Sequence, residues 1–517
     1  MTPGEVDDSC SVQVATRCAV DRYGSRPAVG LPNQLQSFNQ TYDRSLRLGA
    51  ALEDLGAAPG ARIALLAGNG PWYFELYFAC CEFGFVEVPV NGRFTPGEQR
   101  RFLSAIGPEI LLASAENAAR ATELQSAVPT IRQLIGIGEG HGLGLDYERL
   151  LAGARPAQPS LRDVDELVLI SATSGTSGDA KAVMHSQRTT ASAYAPLVER
   201  FGIGDDSHFV TGLAMYFATA YAGWTASFMT GAQQTLLPSF SPTGWVEMVE
   251  TTAATHGFLG PTPVNMIMDA GIDLRRLRRL RHLSMGGAAS DPTRLRALAD
   301  VLGSRVALQL SMTELGAGTV LLGSEFVTAD GLGPRHRSVG LPVSGLQTRT
   351  VGADGTPLPP GADLAGELQV CGPMVSPGYL DEVRSATANP GDWFDTGDVA
   401  VIDGEGFVFI VDRKKDLIVS GGINIAPSEI ERTLLAHPAV SAAGVCGVPH
   451  RVYGEAVHAA VTVRPGADAT VEELMEWCGK HLASVKKPRS IVFVDELPVS
   501  STGKLLRRVL RERYTEA

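Results

Sequence analysis

A chain of 517 residues exceeds what one hydrophobic core usually serves, so two or more domains are expected, each with a sizeable core. The formal net charge of −12 argues against nucleic acid or an anionic membrane as partner, leaving room for a local basic site that takes a phosphorylated ligand. The seven cysteines (Cys10, Cys18, Cys80, Cys81, Cys371, Cys446, Cys478) are odd in number, scattered and without Cys-x-x-Cys spacing, as expected for reduced thiols of a cytoplasmic protein.

The first residues, Met1 to Asp8, have neither a basic nor an apolar run, so no secretory signal is expected. Over residues 45–106 an amphipathic helix (Ser45–Leu55), a short apolar strand (Arg62–Ala67), a second helix (Trp72–Gly84) and a strand (Val86–Val90) alternate, a rhythm of βα units around a largely parallel sheet. Ile135–Gly144 is glycine-rich but contains no Gly-x-Gly-x-x-Gly, so it reads as a loop. Residues 209–246 carry no charge, yet their Thr, Ser, Gly, Gln and Pro content contradicts a membrane span and favours a buried, pocket-lining helix. From Gly345 to Gly378, Thr/Val-rich runs separated by Asp-Gly, Pro-Pro and Gly-Pro turns predict a small β-rich subdomain. After Asp412 a compact α+β unit is predicted, with helices near Ser428–Ala436 and Thr470–Leu482 and strands near Ala443–Val448, Ala456–Val463 and Ser490–Val494.

The chemistry concentrates in a few runs. Between the strand Leu167–Ile170 and a later helix stands Thr-Ser-Gly-Thr-Ser-Gly-Asp-Ala-Lys at 173–181, where amides and hydroxyls can converge on phosphate oxygens and Lys181 adds a point charge. Asp179 and Ala180 separate Gly178 from Lys181, which breaks the Walker spacing. Ser-Met-Thr-Glu at 311–314, Phe-Asp-Thr-Gly-Asp at 394–398, a long run from Asp412 to Glu431 containing Ser-Gly-Gly-Ile-Asn-Ile, and Pro-Val-Ser-Ser-Thr-Gly-Lys at 498–504 follow. In this order the motifs resemble the adenylate-forming superfamily, and the 420–431 wording is most similar to its acyl-CoA and aryl-CoA ligases.

The resemblance implies an α/β fold: a large N-terminal AMP-binding domain (1–412) of βα-layered subdomains plus a β-rich subdomain, a hinge (413–415), and a small mobile α+β C-terminal domain (416–517). It implies ATP or an acyl-adenylate, Mg²⁺ and coenzyme A as reactants and cofactor. Thr173, Ser174, Gly175, Thr176, Ser177, Gly178 and Lys181 match the phosphate grip, and Thr313 and Glu314 match positions touching phosphate and Mg²⁺. Gly287 and Ala288 match a nucleotide-binding segment, Asp398 the ribose ligand, and Arg413 its neighbour. Lys504 matches the lysine that stabilises charge during adenylation. Lys415 matches the hinge, and Gly421 and Gly422 the loop through which the thiol arrives. Local alternatives stay open: a helix cap for Glu314, an Asx turn for Asp398, a surface pair for Arg413 and a tight turn for the two glycines.

Three departures qualify the match. Ala180 and Ala182 replace a proline and a glycine, each worth about 1 kcal/mol. Leu310 replaces a base-stacking aromatic worth about 1–3 kcal/mol, and Phe217 replaces a histidine. Because these touch ATP handling while the thiolation loop is intact, an enzyme with weak or absent adenylation, fed acyl-adenylate by another enzyme, is one expectation. Carrier-protein loading and a silent nucleotide-binding protein are the others. Phe217, Tyr221, Trp224, Gly286 and Leu310 are expected to line a roomy apolar pocket for a bulky, ring-containing acid. A carboxylic acid and CoA are the expected small-molecule partners, with a partner adenylating enzyme and a homodimer as open alternatives, and no nucleic acid or membrane.

Overall fold

The computed structural model describes residues 11–173, 180–286, 292–380, 392–499 and 505–515. The chain forms two compact units, Met1–Gln347 with Cys371–Asp392, and Thr348–Val370 with Trp393–Ala517.

The first unit contains two large sheets covered by helices. Runs such as Ile63–Leu66 and Ile110–Ala113 are buried along their whole length, as parallel strands covered on both faces must be. They sit in a seven-stranded sheet ordered Leu145–Asp146, Gln133–Ile137, Ile110–Ser114, Arg62–Leu66, Val86–Pro89, β1 (Leu167–Ala172) and β2 (Ala182–Ser186), parallel except for the last pair. Helix α1 (Trp72–Phe83) connects Arg62–Leu66 to Val86–Pro89. Ile135–Ile137 belongs to a strand rather than to the expected loop, because its apolar side chains are buried there. The glycine loop begins one residue later, with positive φ at Gly138, Gly140 and Gly142.

The second sheet has nine strands. Helix α2 (Gln187–Phe201) leads to β3 (His208–Thr211), then α3 (Ala218–Met229), β4 (Gln233–Leu236), α4 (Pro242–Thr251), β5 (His256–Leu259), β6 (His282–Gly286) and β7 (Val306–Leu310). Strands β7, β6, β5, β3, β4 and Pro27–Leu31 lie side by side and parallel, with antiparallel strands at both edges. Helix α3 explains the charge-free stretch: Ala218, Ala220, Tyr221, Ala222, Trp224, Thr225, Ala226, Ser227 and Phe228 are all buried, so no face meets water. Its 12 residues fall short of a span, and among the described residues no helix is long and apolar enough to cross a membrane.

The second unit holds an antiparallel sheet ordered Gln347–Val351, Gly366–Cys371, β8 (Phe394–Ile402) and β9 (Val408–Arg413). A further sheet contains β10 (Ile418–Ser420), β11 (Ile423–Ile425), β12 (Val440–His450) and β13 (Gly454–Val463), with Ser490–Phe493 parallel to β13. Helices α5 (Pro427–Leu435) and α6 (Val471–His481) close a core containing Ile418, Ile430, Leu434, Val457 and Leu474. The mixed α/β architecture and the predicted C-terminal elements are present, their ends displaced by a few residues.

Trp245 of α4 fixes one face of the nine-stranded sheet. Fully buried, it donates from Nε1 to the Val210 carbonyl at 3.3 Å. A Cβ on Gly257 of β5 would sit 2.9 Å from its Cζ2, and one on Gly212 would sit 2.9 Å from its Cδ1. Replacing Gly257→Val is therefore expected to cost about 1–3 kcal/mol through overpacking. Urea unfolding followed by tryptophan fluorescence reads this as a lowered midpoint; an unchanged midpoint would contradict the packing role.

Candidate active site

Strands β1 and β2, which flank the Ser/Thr/Gly run, pair antiparallel. Next to them, Thr173 N–H donates to the Lys181 carbonyl at 3.0 Å and Lys181 N–H donates to Thr173 Oγ1 at 3.3 Å. Ser174, Gly175, Thr176, Ser177 and Gly178 lie outside the described residues. No helix follows directly: the buried Ala182–Ser186 segment first completes the sheet, and α2 begins at Gln187. No helix N-terminus is thus available at this position to face an anion. The expected cost at Ala182 does not arise. Among described non-glycine residues only Asn33, Ala253 and Asp363 have positive φ, and Ala182 is a buried strand residue.

A segment that was read only as turn-rich completes this part of the site. Met184 N–H donates to the Gly378 carbonyl (3.1 Å), Leu380 N–H to the Ala182 carbonyl (2.9 Å) and Ser376 Oγ to the Met184 carbonyl (2.7 Å), so residues 376–380 lie along β2. Tyr379 is thereby placed with its ring centroid 4.0 Å from Lys181 Nζ, a cation–π contact. Its hydroxyl donates to Glu314 Oε1 at 2.7 Å, and Ser376 N–H donates to the Glu314 carbonyl at 2.8 Å. Lys181, Tyr379 and Glu314 thus form one line. Thr313 and Glu314 occupy a turn after β7, where the amides of Leu315 and Gly316 both bond to the Met312 carbonyl (3.1 and 3.0 Å). No helix starts there, which removes the cap reading of Glu314. Glu314 is buried and hydrogen-bonded; among the described residues no group of three or more His, Cys, Asp or Glu could hold a metal by itself. A single carboxylate beside a phosphate loop fits Mg²⁺, which takes few protein ligands and completes its shell with phosphates and water.

A cavity opens between α2, α3 and one face of the nine-stranded sheet. Residues in register on parallel strands share a face, so Thr211, Phe258 and Ser284 form one row, and Gly286 stands level with Gln309. Thr211, Phe258, Ser284, Gln309 and His282 all line the cavity, and Trp224 and Gly223 of α3 line it from the helix side. Tyr221 faces elsewhere: its hydroxyl donates to Glu87 Oε1 at 2.7 Å, and burial pushes both the Glu87 carboxyl and the Tyr221 hydroxyl well above their ordinary pKa values. Phe217 is the N-cap of α3 and packs on Tyr216 at 4.6 Å. Just before it, Met215 N–H donates to Asn69 Oδ1 (2.8 Å), while Asn69 Nδ2 donates to the carbonyls of Leu213 and Leu237 (2.9 Å each). Tyr221 lines a second, smaller cavity with His185, Thr189 and Ala222, while Phe217 and Leu310 are not among the residues lining the first, where Gln309 stands. Gly287 and Ala288 lie outside the described residues.

In the second unit Asp398 and Arg413 stand opposite each other on β8 and β9, with Arg413 Nε 2.7 Å from Asp398 Oδ1. The carboxylate is buried and the arginine half-exposed, so the pair opens on solvent on the arginine side. Arg413 also donates to the Thr396 carbonyl at 3.3 Å. Lys415 lies in a short 3₁₀ turn, Lys414–Asp416, between β9 and β10. Gly421 and Gly422 join β10 to β11 with φ of +59° and +81°, the double left-handed turn that matches strand twist. A Cβ on Gly422 would meet nothing within 4 Å, so backbone conformation rather than crowding calls for glycine there. Lys504 lies outside the described residues; on either side of 500–504, Val499 and Leu505 form a bridge and Leu506 N–H donates to the Pro498 carbonyl at 2.8 Å.

Residues 16–380 match the model of the AMP-binding enzyme family, and residues 429–504 match its C-terminal domain. The chain belongs to the AMP-binding enzyme family. As such it is an acid–thiol ligase of the AMP-forming type, with ATP and CoA use implied by the family. It is 32% identical to a feruloyl-CoA synthase of an Amycolatopsis species over 485 residues, covering 91% of this chain and 92% of the relative. It is 30% identical to the fatty acid–[acyl-carrier-protein] ligase ScoC of Streptomyces coeruleorubidus, covering 94% and 93%. The structure matches ATP-bound MatB from Rhodopseudomonas palustris with a TM-score of 0.88 at 26% identity, covering 98% and 99%.

Sequence reasoning missed Tyr379, Asn69, His282 and Ser284. Ser-Pro-Gly-Tyr at 376–379 could have flagged Tyr379, whereas Asn69 acts through contacts far away in the chain. For this AMP-binding enzyme, Tyr379→Phe keeps the ring beside Lys181 but removes the donor to Glu314. A lost hydrogen bond to a carboxylate predicts a fall of about tenfold or more in pyrophosphate release from ATP plus acid; an unchanged rate would deny Tyr379 this role.

Buried histidines add a pH dependence. His185, whose Nε2 is 2.9 Å from Ser171 Oγ, is pushed down to about 4 by burial. Its folded pKa lies below the unfolded value of about 6.5, so the unfolded state binds the extra proton and stability is lost as pH falls from about 6.5 towards 4. Between pH 7 and pH 5 this site is expected to cost about 2 kcal/mol, a loss that His185→Gln removes; parallel urea midpoints for enzyme and variant at both pH values would contradict it.

Proposed function

We propose that this enzyme activates a bulky, ring-bearing carboxylic acid as its acyl-adenylate and then transfers the acyl group to CoA, performing both steps itself. The supporting observation is the apolar cavity on the sheet face, lined by Trp224, Phe258 and Ser284 and reaching Thr211 and Gln309 near the carboxyl ends of β3 and β7. That is where open α/β sheets bind ligands.

In the first step a carboxylate oxygen attacks the α-phosphorus of ATP and the bond to pyrophosphate breaks. Thr173, Lys181 and the loop 174–178 grip the β- and γ-phosphates, with Thr313 beside them. Glu314 would hold Mg²⁺, which neutralises phosphate charge when bound. Asp398 takes the ribose hydroxyls, oriented by its ion pair with Arg413, and Gly287 and Ala288 approach the nucleotide. Lys504 stabilises the charge that develops between carboxylate and α-phosphate. In the second step the CoA thiol loses its proton, its sulfur attacks the acyl carbon and AMP leaves; movement about Lys415 exchanges the Lys504 loop for the Gly421–Gly422 turn.

Retained adenylation is favoured because Ala182 is an unstrained strand residue. The remaining departures are Ala180, about 1 kcal/mol through the unfolded chain, Leu310, about 1–3 kcal/mol of adenine stacking, and Phe217 in place of a histidine. The half-reactions can be separated in one preparation. Lys504→Ala is expected to lower pyrophosphate release by about a hundredfold or more while leaving thioester formation from supplied acyl-adenylate within a few fold. Gly422→Leu, forced to hold φ of +81°, is expected to do the reverse. Equal loss of both activities in either variant would sink the division of roles, acylation of a carrier protein but not of CoA would overturn the acceptor, and thioester formation only from supplied adenylate would overturn self-sufficiency.

A further inference from the structure

The cavity is apolar along most of its wall, yet two polar atoms on its sheet side have no partner among the described residues: His282 Nε2 and Ser284 Oγ. Both residues are buried, at 8% and 2% exposure, and both are on β6, two positions apart and therefore on one face. Gly286 follows on the same face, its missing side chain occupied by Gln309, whose Cγ would lie 2.6 Å from a Cβ there. His282 is at the end of β6 away from Gly286, roughly 13 Å along the strand at about 3.3 Å per residue. Phe201 of α2 packs on its ring at 4.3 Å, which closes the cavity at that end. The neighbouring His256 makes a complete set of bonds, to Thr255 Oγ1 at 2.8 Å and the Phe201 carbonyl at 3.2 Å, so His282 alone of the pair is left with an open position.

Buried polar groups without partners are costly and uncommon, and one that lines a cavity is satisfied when a ligand supplies the missing atom. We propose that His282 and Ser284 form a hydrogen-bonding end-wall of the acyl pocket that recognises a neutral hydroxyl on the far end of an aryl acid, the ring being carried on a short carbon arm. The inference rests on the CoA-ligase reading above. A hydroxyl fits because it donates and accepts at once: the serine hydroxyl rotates to either role, and the imidazole offers one nitrogen as acceptor or, in its other tautomer, as donor. Burial pushes His282 down to about 3, so the ring is neutral at working pH and gives no counter-charge to an anionic substituent. A second carboxylate or an ammonium at that position would be buried without a partner. The distance along β6 calls for an extended acid rather than a benzoate. A site built to bond a hydroxyl discriminates strongly against the analogue lacking it, by up to about 10⁴-fold, whereas a plain apolar slot does not.

The test compares phenylpropenoic acid with its 4-hydroxy counterpart. It uses the full enzyme and reads both CoA thioester formation and hydroxylamine capture of the adenylate, so that the pocket is scored whichever thiol acceptor is correct. The wild type is expected to favour the hydroxylated acid by about 30-fold or more in kcat/KM, His282→Phe to bring the ratio close to one, and Ser284→Ala to lower it about three- to tenfold. A purely structural role would depress both acids equally and leave the ratio intact. A wild-type ratio near one, a preference that survives both variants, or turnover of neither acid would overturn the assignment. Capture of adenylate with the expected ratio but no CoA thioester would overturn the CoA reading and leave the end-wall standing.

Discussion

The parallel, in-register run of β3, β5, β6 and β7 is the constraint from which much of the first unit follows. Register forces alternate residues of each strand to one face, so the two faces can be filled independently. One face is packed solid by Trp245 against Gly212 and Gly257. The other is left with Thr211, Phe258, His282 and Ser284, opposite a helix whose facing residues include Ala220 and Gly223. Small residues on both sides leave an opening that side chains do not close, and the strand direction sets which end of it faces the nucleotide motifs.

A second device ties the two sheets of that unit together. Strand β2 is the edge of the seven-stranded sheet, and Glu314 follows β7 of the nine-stranded one. Residues 376–380 bond to both, through backbone pairing with β2 and through Ser376 and Tyr379 to Glu314. Strand β2 and the Glu314 turn are thereby held in fixed relation by hydrogen bonds rather than by chain connectivity. A buried carboxylate that accepts from a tyrosine hydroxyl is positioned as well as solvated by that bond, which suits a group intended to meet phosphate.

Much of this was legible before the structure. Apolar runs such as Arg62–Ala67 and the amphipathic pattern around Ser45–Leu55 report burial directly, and the C-terminal elements emerged within a few residues of their observed ends. Local motifs also carried the hairpin at Gly421–Gly422, because two adjacent glycines have few uses other than a left-handed turn. What the sequence did not disclose depends on tertiary pairing. Ala182 looked costly as a glycine replacement until its strand geometry was seen, and the helix-cap alternative for Glu314 fell only with the turn after β7. Phe217, Tyr221 and Trp224 were expected around one roomy pocket because small residues surround them, but Trp224 lines the first cavity and Tyr221, bonded to Glu87, a second. His282 and Ser284 were invisible because an alternating polar residue in a buried strand is as readily satisfied by a neighbour as left open for a ligand.

The proposed function places the acyl group in the cavity between α2, α3 and the sheet, with its carboxyl end towards Gly286. A crystal structure of the enzyme with an aryl acyl-adenylate tests this most directly. The expected result is density for the ring between Trp224 and Phe258 with its far end at His282 and Ser284, and the adenylate beyond Gly286. An acyl group lying outside this cavity, or one inserted with the adenylate towards His282, would contradict the account.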